Sequence, residues 1–224
     1  MFDIKRDLNI LTKDEASALY KNATPENLHR LAVSGHLSLQ VAKNPLTSER
    51  TLELLSWNRD EGVKRNVAEN PNAPGTALAR LSHDENKNVR FGVAQNPNAP
   101  KEILAYLAKD EDMCCAVVHN PSTSVDVLRA LSKDGRDRVR RCVASSPKAY
   151  EGLLATLVKD KDECVRINVA ANPHTGAKTL AVLAKDKDNF VRQAVAQHLN
   201  TSADVLAVLA KDKDWYVRRA VLVF

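Results

Sequence analysis

Residues 89–100 read Val89-Arg90-Phe91-Gly92-Val93-Ala94-Gln95-Asn96-Pro97-Asn98-Ala99-Pro100, and versions of this phrase recur along the 224-residue chain. Its centre, Val-Ala-x-Asn-Pro, is present at 41–45, 67–71, 93–97 and 169–173, with one close variant at 117–121 and degenerate copies at 143–147 and 195–199. Two leucines follow each copy, seven and ten residues after the proline position. Such self-similarity at a fixed period indicates a repeat architecture.

The leucine pairs set the register of the repeats. The series begins at Leu28 and Leu31, and successive first leucines are 24 or 26 residues apart. This spacing predicts eight repeats of 24–26 residues over about 22–224. Each repeat reads as two short helices, because leucines three apart and valines four apart each lie on one helix face. We expect Asn-Pro to end the second helix, with asparagine as a left-handed cap.

Short helices of this kind are not stable alone in water, so stacking of neighbouring repeats must supply the core. The segment 1–21 is predicted to cap this stack, since Thr12-Lys13-Asp14-Glu15 is a capping box that opens a helix through about Tyr20. Residues 22–224 are predicted to form one continuous domain. The apolar end Val221-Leu222-Val223-Phe224 either completes the last helix or docks on a partner or a second copy.

The pattern Val-Arg-x-x-Val-Ala-x-Asn-Pro-x-x-Pro-x-x-x-Leu-x-x-Leu-Ala-x-Asp resembles the variant leucine-rich repeat family, over about nine-tenths of the chain. It is also similar to the shorter bacterial HEAT-like repeats. The resemblance implies an all-α, right-handed superhelical solenoid, with one helix of each pair α and the other closer to 3₁₀. Some family members carry a cysteine-ligated iron–sulfur cluster ahead of the repeats. This chain has no cysteine before Cys114, so we expect no cluster and no cofactor.

Composition excludes several classes of protein. The chain is 44% hydrophobic and 27% charged with a formal net charge of +5, which is typical of a globular protein. It has no apolar run long enough to span a membrane, and the charged start Asp3-Ile4-Lys5-Arg6 does not resemble a signal peptide. Four cysteines without a CxxC spacing suit neither a disulfide framework nor a zinc knuckle. We expect a cytoplasmic protein.

A column of cations recurs nineteen residues after the proline and is interrupted by Cys114. Its members are Lys64, Arg90, Arg140, Arg166, Arg192 and Arg218. A row of cations could bind phosphates. Most members, however, have an aspartate six residues earlier, and the HEAT-like resemblance implies that such residues pair along the stack. We expect an internal ladder, because the guanidinium fork matches a carboxylate.

The position after this column varies and is the better candidate for binding. It holds Arg65, Phe91, Arg141, Ile167, Gln193 and Arg219. A mixture of charged, polar and apolar side chains suits a protein surface better than a phosphate track. Because the opposite charges of the Lys-Asp loops nearly cancel, the arginines at this position supply the positive charge that remains to be explained. The aromatic residues Phe190, Trp215 and Tyr216 lie in what the sequence predicts as the last two loops, where we expect them to cover the open end of the stack.

Chemistry-bearing motifs are scarce. Cys114, Cys115, His119 and Cys142 do not have the spacing of a known zinc motif, and we expect no metal. The sequence contains no G-x-S-x-G, P-loop or H-E-x-x-H motif. It therefore predicts a non-enzymatic bacterial scaffold that binds a protein along its curved surface. The alternative is nucleic-acid binding through a basic concave groove, and a DNA-repair glycosylase ranks third, by analogy of fold alone.

Overall fold

The computed structural model describes residues 11–222, and every regular segment in that range is an α-helix. After a leading helix, α1 (Lys13–Lys21), sixteen helices alternate between a first and a second position of the repeat. The first helices are α2 Pro25–Val33, α4 Glu49–Leu55, α6 Gly75–Leu81, α8 Lys101–Leu107, α10 Val125–Leu131, α12 Glu151–Leu157, α14 Ala177–Leu183 and α16 Ala203–Leu209. The second helices are α3 Ser38–Lys43, α5 Glu61–Glu69, α7 Lys87–Gln95, α9 Glu111–His119, α11 Asp137–Ser145, α13 Glu163–Ala171, α15 Asn189–Ala196 and α17 Trp215–Val221.

Both helices of each described pair are α-helical, so the expectation of a 3₁₀ partner is wrong. Even the seven-residue first helices close α-type bonds. In α8 the Leu104 N–H donates to the Pro100 carbonyl at 3.1 Å, and the Ala108 N–H donates to the Leu104 carbonyl at 2.9 Å. Leu104 and Leu107 are both buried, and α geometry places side chains three apart on the same face of the helix.

The loop between the two helices of a repeat also has a local purpose. Its last aspartate or asparagine is the N-cap of most second helices, where its side chain satisfies backbone N–H groups that the helix leaves open. Asp188, for example, accepts from the N–H groups of Phe190 at 2.9 Å and Val191 at 3.1 Å. The Lys-Asp-x-Asp sequence is therefore a helix-starting signal.

The chain divides into two compact units, Met1–Ser122 and Thr123–Phe224. Unit 1 contains α1–α9 and unit 2 contains α10–α17. In unit 1 the second helices pack in series, α3 on α5, α5 on α7 and α7 on α9; in unit 2, α11, α13, α15 and α17 do the same. Gly92 allows a close approach of α7 to α5, since a Cβ there would lie 3.1 Å from the Cβ of Ala68.

Each unit is held together by the leucines and valines of the repeat. Leu52, Leu78 and Leu104 of the first helices and Val67 and Val93 of the second helices are fully buried. The leucine register therefore marks the core, as the spacing predicts. Burying a side chain of this size is worth roughly 1.5–3 kcal/mol, which is what lets such short helices persist.

The asparagine of Asn-Pro does not adopt the left-handed cap that we expected. At Asn96 the backbone is extended, with φ −65° and ψ 122°. Its side chain instead reaches the previous repeat. The Nδ2 atom donates to the carbonyls of Ala68 at 2.7 Å and Asn70 at 2.9 Å, while Oδ1 accepts from the N–H of Asn98 at 2.9 Å. The residue thus joins two helix ends that would otherwise leave carbonyls unpaired.

Within each unit this arrangement repeats as an asparagine ladder. Asn70, Asn96 and Asn120 each donate to two carbonyls of the preceding repeat in unit 1, and Asn172 does so in unit 2. His198 replaces the asparagine in the next repeat, where its Nε2 lies 2.9 Å from the Asn172 carbonyl.

The segment before the repeats has the predicted capping box. The Glu15 N–H donates to Thr12 Oγ1 at 3.3 Å, and the Thr12 N–H donates to Glu15 Oε2 at 2.8 Å. The resulting helix α1 packs on α2. At the other end, the apolar stretch ends in residues 223 and 224, which lie outside the described residues. Self-association through it stays a prediction.

Candidate functional site

The arginine column forms a ladder with aspartates of the following repeat. Arg166 is typical: its Nε and Nη2 atoms donate to the two carboxylate oxygens of Asp186 at 2.7 and 3.0 Å. Its Nη1 donates to the carbonyls of Asp160 at 2.8 Å and Lys161 at 3.3 Å. The two side chains are only 5% and 9% exposed. One guanidinium therefore ties its own loop to the loop of the next repeat.

The same bidentate pair joins Arg140 to Asp160 and Arg192 to Asp212. In unit 1 the contacts are looser: Arg90 reaches one oxygen of Asp110 at 3.0 Å, with side chains 22% and 34% exposed. Lys64 lies 2.5 Å from Asp84. Arg218 donates to the carbonyls of Asp212 and Lys213 at 2.7 and 3.0 Å. The aspartate six residues before each arginine thus contributes its backbone carbonyl. Its carboxylate binds the cation of the preceding repeat, except at Asp134, where the preceding repeat has Cys114.

Cys114 occupies the column position in α9 and is buried. Its Sγ lies 3.1 Å from the Ala108 carbonyl and 3.2 Å from the Asp110 carbonyl. The thiol therefore contacts two carbonyl oxygens near its own loop, as the arginines do elsewhere, but it has no charge with which to hold a carboxylate. In unit 2, Asp134 is held by Arg136 of its own loop, at 2.8 Å from both Nε and Nη2.

Pairing with arginine keeps the ladder carboxyls ionised. Hydrogen bonds from Arg140 and Arg192 lower the pKa of Asp160 and Asp212 below the usual value, although burial opposes them. At Asp186 burial raises the pKa, and the bonds from Arg166 and the neighbouring backbone outweigh it, so its pKa is also lowered. The Arg136 hydrogen bonds lower the pKa of Asp134 to about 2.

These lowered pKa values predict acid sensitivity. A carboxyl whose pKa is lowered by folding stabilises the protein fully above its unfolded-state pKa of about 4, and that contribution is lost as the pH falls through the folded-state pKa. We expect the urea midpoint to be level from neutral pH to about pH 5 and to fall steeply below about pH 4. The double variant Arg166→Met, Asp186→Leu should show a shallower fall. An unchanged slope would assign the acid sensitivity to other groups.

The variable column lies on the second helices of each unit. In unit 1, Arg65 of α5 is exposed and its Nε is 3.3 Å from Glu69 of the same helix. Phe91, at the equivalent position of α7, is exposed and lines a shallow groove with Gln95 and His119. Because α5 packs on α7, these positions belong to one surface of unit 1.

In unit 2 the same column holds Arg141, Ile167, Gln193 and Arg219. Arg141 makes two bonds to Asp162, at 3.0 and 3.1 Å, and a further bond to Asp137 at 2.5 Å. Ile167 and Gln193 are half-buried, whereas Arg219 is exposed. The stacked second helices therefore bring these residues together on one surface of unit 2. We call this surface, and the separate one in unit 1 that carries Arg65 and Phe91, the second-helix face of each unit.

The three rings near the end of the chain lie in the first turns of helices and not in loops. Phe190 is 60% exposed, Trp215 52% and Tyr216 60%. Rings this exposed do not cover the end of the stack, so that expectation is wrong. Phe190 and Tyr216 occupy the second residue of α15 and α17, which pack on each other.

From their composition we expected the charges of the Lys-Asp loops nearly to cancel. At the surface they do not. Unit 2 has 18 Lys and Arg against 12 Asp and Glu, a net charge of +6, whereas unit 1 has 15 against 16. The loop aspartates of unit 2 are half-buried in the ladder or at N-caps, and the lysines beside them are exposed. The exposed lysines are Lys133, Lys159, Lys161, Lys185, Lys187, Lys211 and Lys213.

Sequence reasoning missed a cluster on the first helices of unit 1. The guanidinium of Arg80 lies 3.7 Å from the centre of the exposed Trp57 ring, and its Nη2 is 2.5 Å from Glu53 Oε1. Thr76 also donates to Glu53 at 2.6 Å, and these hydrogen bonds lower the pKa of its carboxyl. The partners are more than twenty residues apart, so no local pattern could have indicated them.

Metal chemistry has no visible support in residues 11–222, where no group of three or more His, Cys, Asp or Glu side chains is placed to hold an ion. Cys164 is a free thiol. The same stretch of chain contains no helix that is both long and apolar enough to cross a bilayer.

Comparisons with known proteins agree with the repeat architecture. The family model described as leucine rich repeat variant matches residues 61–86, which run from α5 to the loop before α7. A solved structure described as "a leucine-rich repeat variant with a novel repetitive protein structural motif" has 27% sequence identity and a TM-score of 0.61, covering 89% of this chain and 85% of that chain.

A designed armadillo repeat protein also matches, with 15% identity, a TM-score of 0.24 and coverage of 97% of this chain and 94% of that chain. So low a score carries no argument about fold or function. None of the curated proteins compared matches this chain.

Proposed function

Because this chain belongs to the leucine-rich repeat variant family, we propose that it is a non-enzymatic repeat scaffold that binds a protein partner and needs no cofactor. The partner contacts the second-helix face of each unit, at Arg65 and Phe91 in unit 1 and at Arg141, Ile167, Gln193 and Arg219 in unit 2. The observation that carries this proposal is that the two neighbouring columns have different roles. The recurring cations pair inside the stack, whereas the neighbouring column, whose side chains are exposed or half-buried, varies from repeat to repeat.

Nucleic-acid binding through the cation column has less support. Arg140, Arg166 and Arg192 are buried and already bound to carboxylates, so a phosphate would have to displace an aspartate. In the variable column, Arg65 and Arg141 also pair with acidic neighbours. A phosphate track needs cations that are free to release counterions, and a mixed surface with Phe91 and Ile167 fits a protein interface better.

The proposal is tested by site-specific photo-crosslinking of the full chain. A benzophenone amino acid is placed at Arg65 and Gln193 on the second helices, and at Arg50 and Lys178 on exposed positions of first helices as matched controls. We expect a discrete protein adduct from the second-helix positions that the controls do not give. Equal adducts from all four positions, or none from any, would contradict a dedicated face.

The nucleic-acid alternative has its own measurement. Labelled duplex DNA is titrated with the protein at low and at physiological salt. Because phosphate contacts release counterions, weak non-specific binding should disappear at physiological salt. We expect no saturable binding there, and affinity that survives with a steep salt slope would favour the alternative.

A further inference from the structure

Unit 2 presents a group of exposed rings and cations on neighbouring helices, which we call the aromatic–cationic cluster. It consists of Lys187, Phe190, Lys213, Trp215, Tyr216 and Arg219. The first two precede or begin α15, and the others precede or belong to α17. The Nδ2 of Asn189 donates to Asp214 Oδ2 at 3.0 Å, which joins the first turns of the two helices.

The rings and the guanidinium are arranged with one another. Trp215 and Tyr216 meet edge to face with centroids 5.0 Å apart, and the Arg219 guanidinium lies 5.2 Å from the centre of the Trp215 ring. Phe190 lies one repeat inside the stack and is as exposed as Tyr216. The exposure of these rings is therefore a property of the face and not of the end of the stack.

The cations of the cluster differ from the ladder arginines in their partners. Arg192 is held by both oxygens of Asp212, whereas Lys187, Lys213 and Arg219 form no ion pair with any of the residues from 11 to 222. They lie in the unit that has a net charge of +6. Stacking on Trp215 restricts the guanidinium of Arg219 and leaves its N–H groups for a carboxylate.

We propose, on the basis of the scaffold function above, that the aromatic–cationic cluster binds an acidic segment of the partner protein that also carries apolar side chains. Carboxylates pair with Lys187, Lys213 and Arg219, and apolar side chains pack on Phe190, Trp215 and Tyr216. Trp, Tyr and Arg are the residues that most often dominate protein interfaces. Nucleobases fit less well, because stacking needs open ring faces and Trp215 already contacts both Arg219 and Tyr216.

A labelled peptide tests this chemistry directly. The probe is Glu-Glu-Leu-Ser-Glu-Phe repeated twice. One control peptide replaces every Glu by Lys, and a second replaces Leu and Phe by Ser. We expect saturable binding of the probe. The affinity of each control peptide should be lower by about tenfold or more, because each control lacks one of the two classes of contact. Equal affinity for the probe and the Lys peptide would overturn the proposal.

Variants place the binding in the cluster. Arg219→Gln and Phe190→Ser should each weaken probe binding about tenfold, the usual effect of truncating a central interface residue. The matched controls are Arg138→Gln, an exposed arginine of α11, and Tyr106→Ser, an exposed ring on the first helix α8, and neither should change it. Circular dichroism checks that all four variants are folded. Loss of binding in the controls alone would contradict the assignment.

Other ligands give distinct results. Tighter binding of a single-stranded oligothymidylate of similar length, or of phosphatidylserine vesicles, would replace the acidic segment by a nucleic acid or a membrane surface. Failure of the peptide while Gln193 still crosslinks to a protein would remove only this inference. Failure of both experiments would remove the scaffold function as well.

Discussion

Arg166→Ala is expected to lower the free energy of unfolding by about 3–5 kcal/mol, the usual cost of breaking a buried ion pair by removing one partner. The substitution leaves the carboxylate of Asp186 without its guanidinium at a site where it is 9% exposed. It also removes the donor that the carbonyls of Asp160 and Lys161 share. Urea unfolding followed by circular dichroism measures the loss.

Two comparisons separate burial from charge. Arg90→Ala breaks a pair that is 22% and 34% exposed and joined by one hydrogen bond, so its cost should be about 1 kcal/mol. Arg138→Ala removes an exposed arginine of α11 and should change stability by less than about 0.5 kcal/mol. Equal losses at positions 166 and 138 would show that the ladder contributes nothing beyond general charge.

The replacement Arg166→Met with Asp186→Leu examines the same pair in another way. Replacing both partners by apolar side chains leaves no unpaired charge, so this double variant should be more stable than Arg166→Ala alone. The two loop carbonyls still lose their donor, and we expect them to hold the double variant below the parent protein.

Much of the fold could be predicted from the sequence because its determinants are local. The leucine pairs, the valines four residues apart and the capping box at Thr12 each lie within one turn or one helix, and each is where the pattern indicates. The 3₁₀ geometry is implied by the family resemblance and not by the residues themselves, and it is wrong for the described helices.

The remaining errors concern contacts made between repeats. The sequence predicts a left-handed cap at Asn96 because it shows only that this residue precedes Pro97. The carbonyls that receive its side chain belong to Ala68 and Asn70, more than twenty residues earlier. The prediction that Trp215 covers the end of the stack fails for the same reason, since the exposure of a side chain depends on neighbours that no local pattern specifies. The exposed lysines of unit 2 likewise could not be predicted, because their excess at the surface depends on the loop aspartates being half-buried in contacts with other repeats or at N-caps.

Asn96→Ala is expected to cost about 3 kcal/mol, because the two buried carbonyls lose their donor and an unmade buried hydrogen bond costs about 1–3 kcal/mol. Asn96→Asp keeps the shape but faces a charge toward both carbonyl oxygens, so it should cost more than the alanine variant at neutral pH. The control is Asn98→Ala, an exposed neighbour that donates to the Pro71 carbonyl, with an expected loss below about 1 kcal/mol.

The residue at position 198 offers a test of the mechanism within the same fold. His198 stands where other repeats have asparagine, and its Nε2 makes a single contact with the Asn172 carbonyl. If donation to the previous repeat is what Asn96 contributes, Asn96→His should recover one of the two bonds and lose less stability than Asn96→Ala in urea unfolding. A histidine variant no more stable than the alanine variant would mean that asparagine is required for its fit and not for its donors.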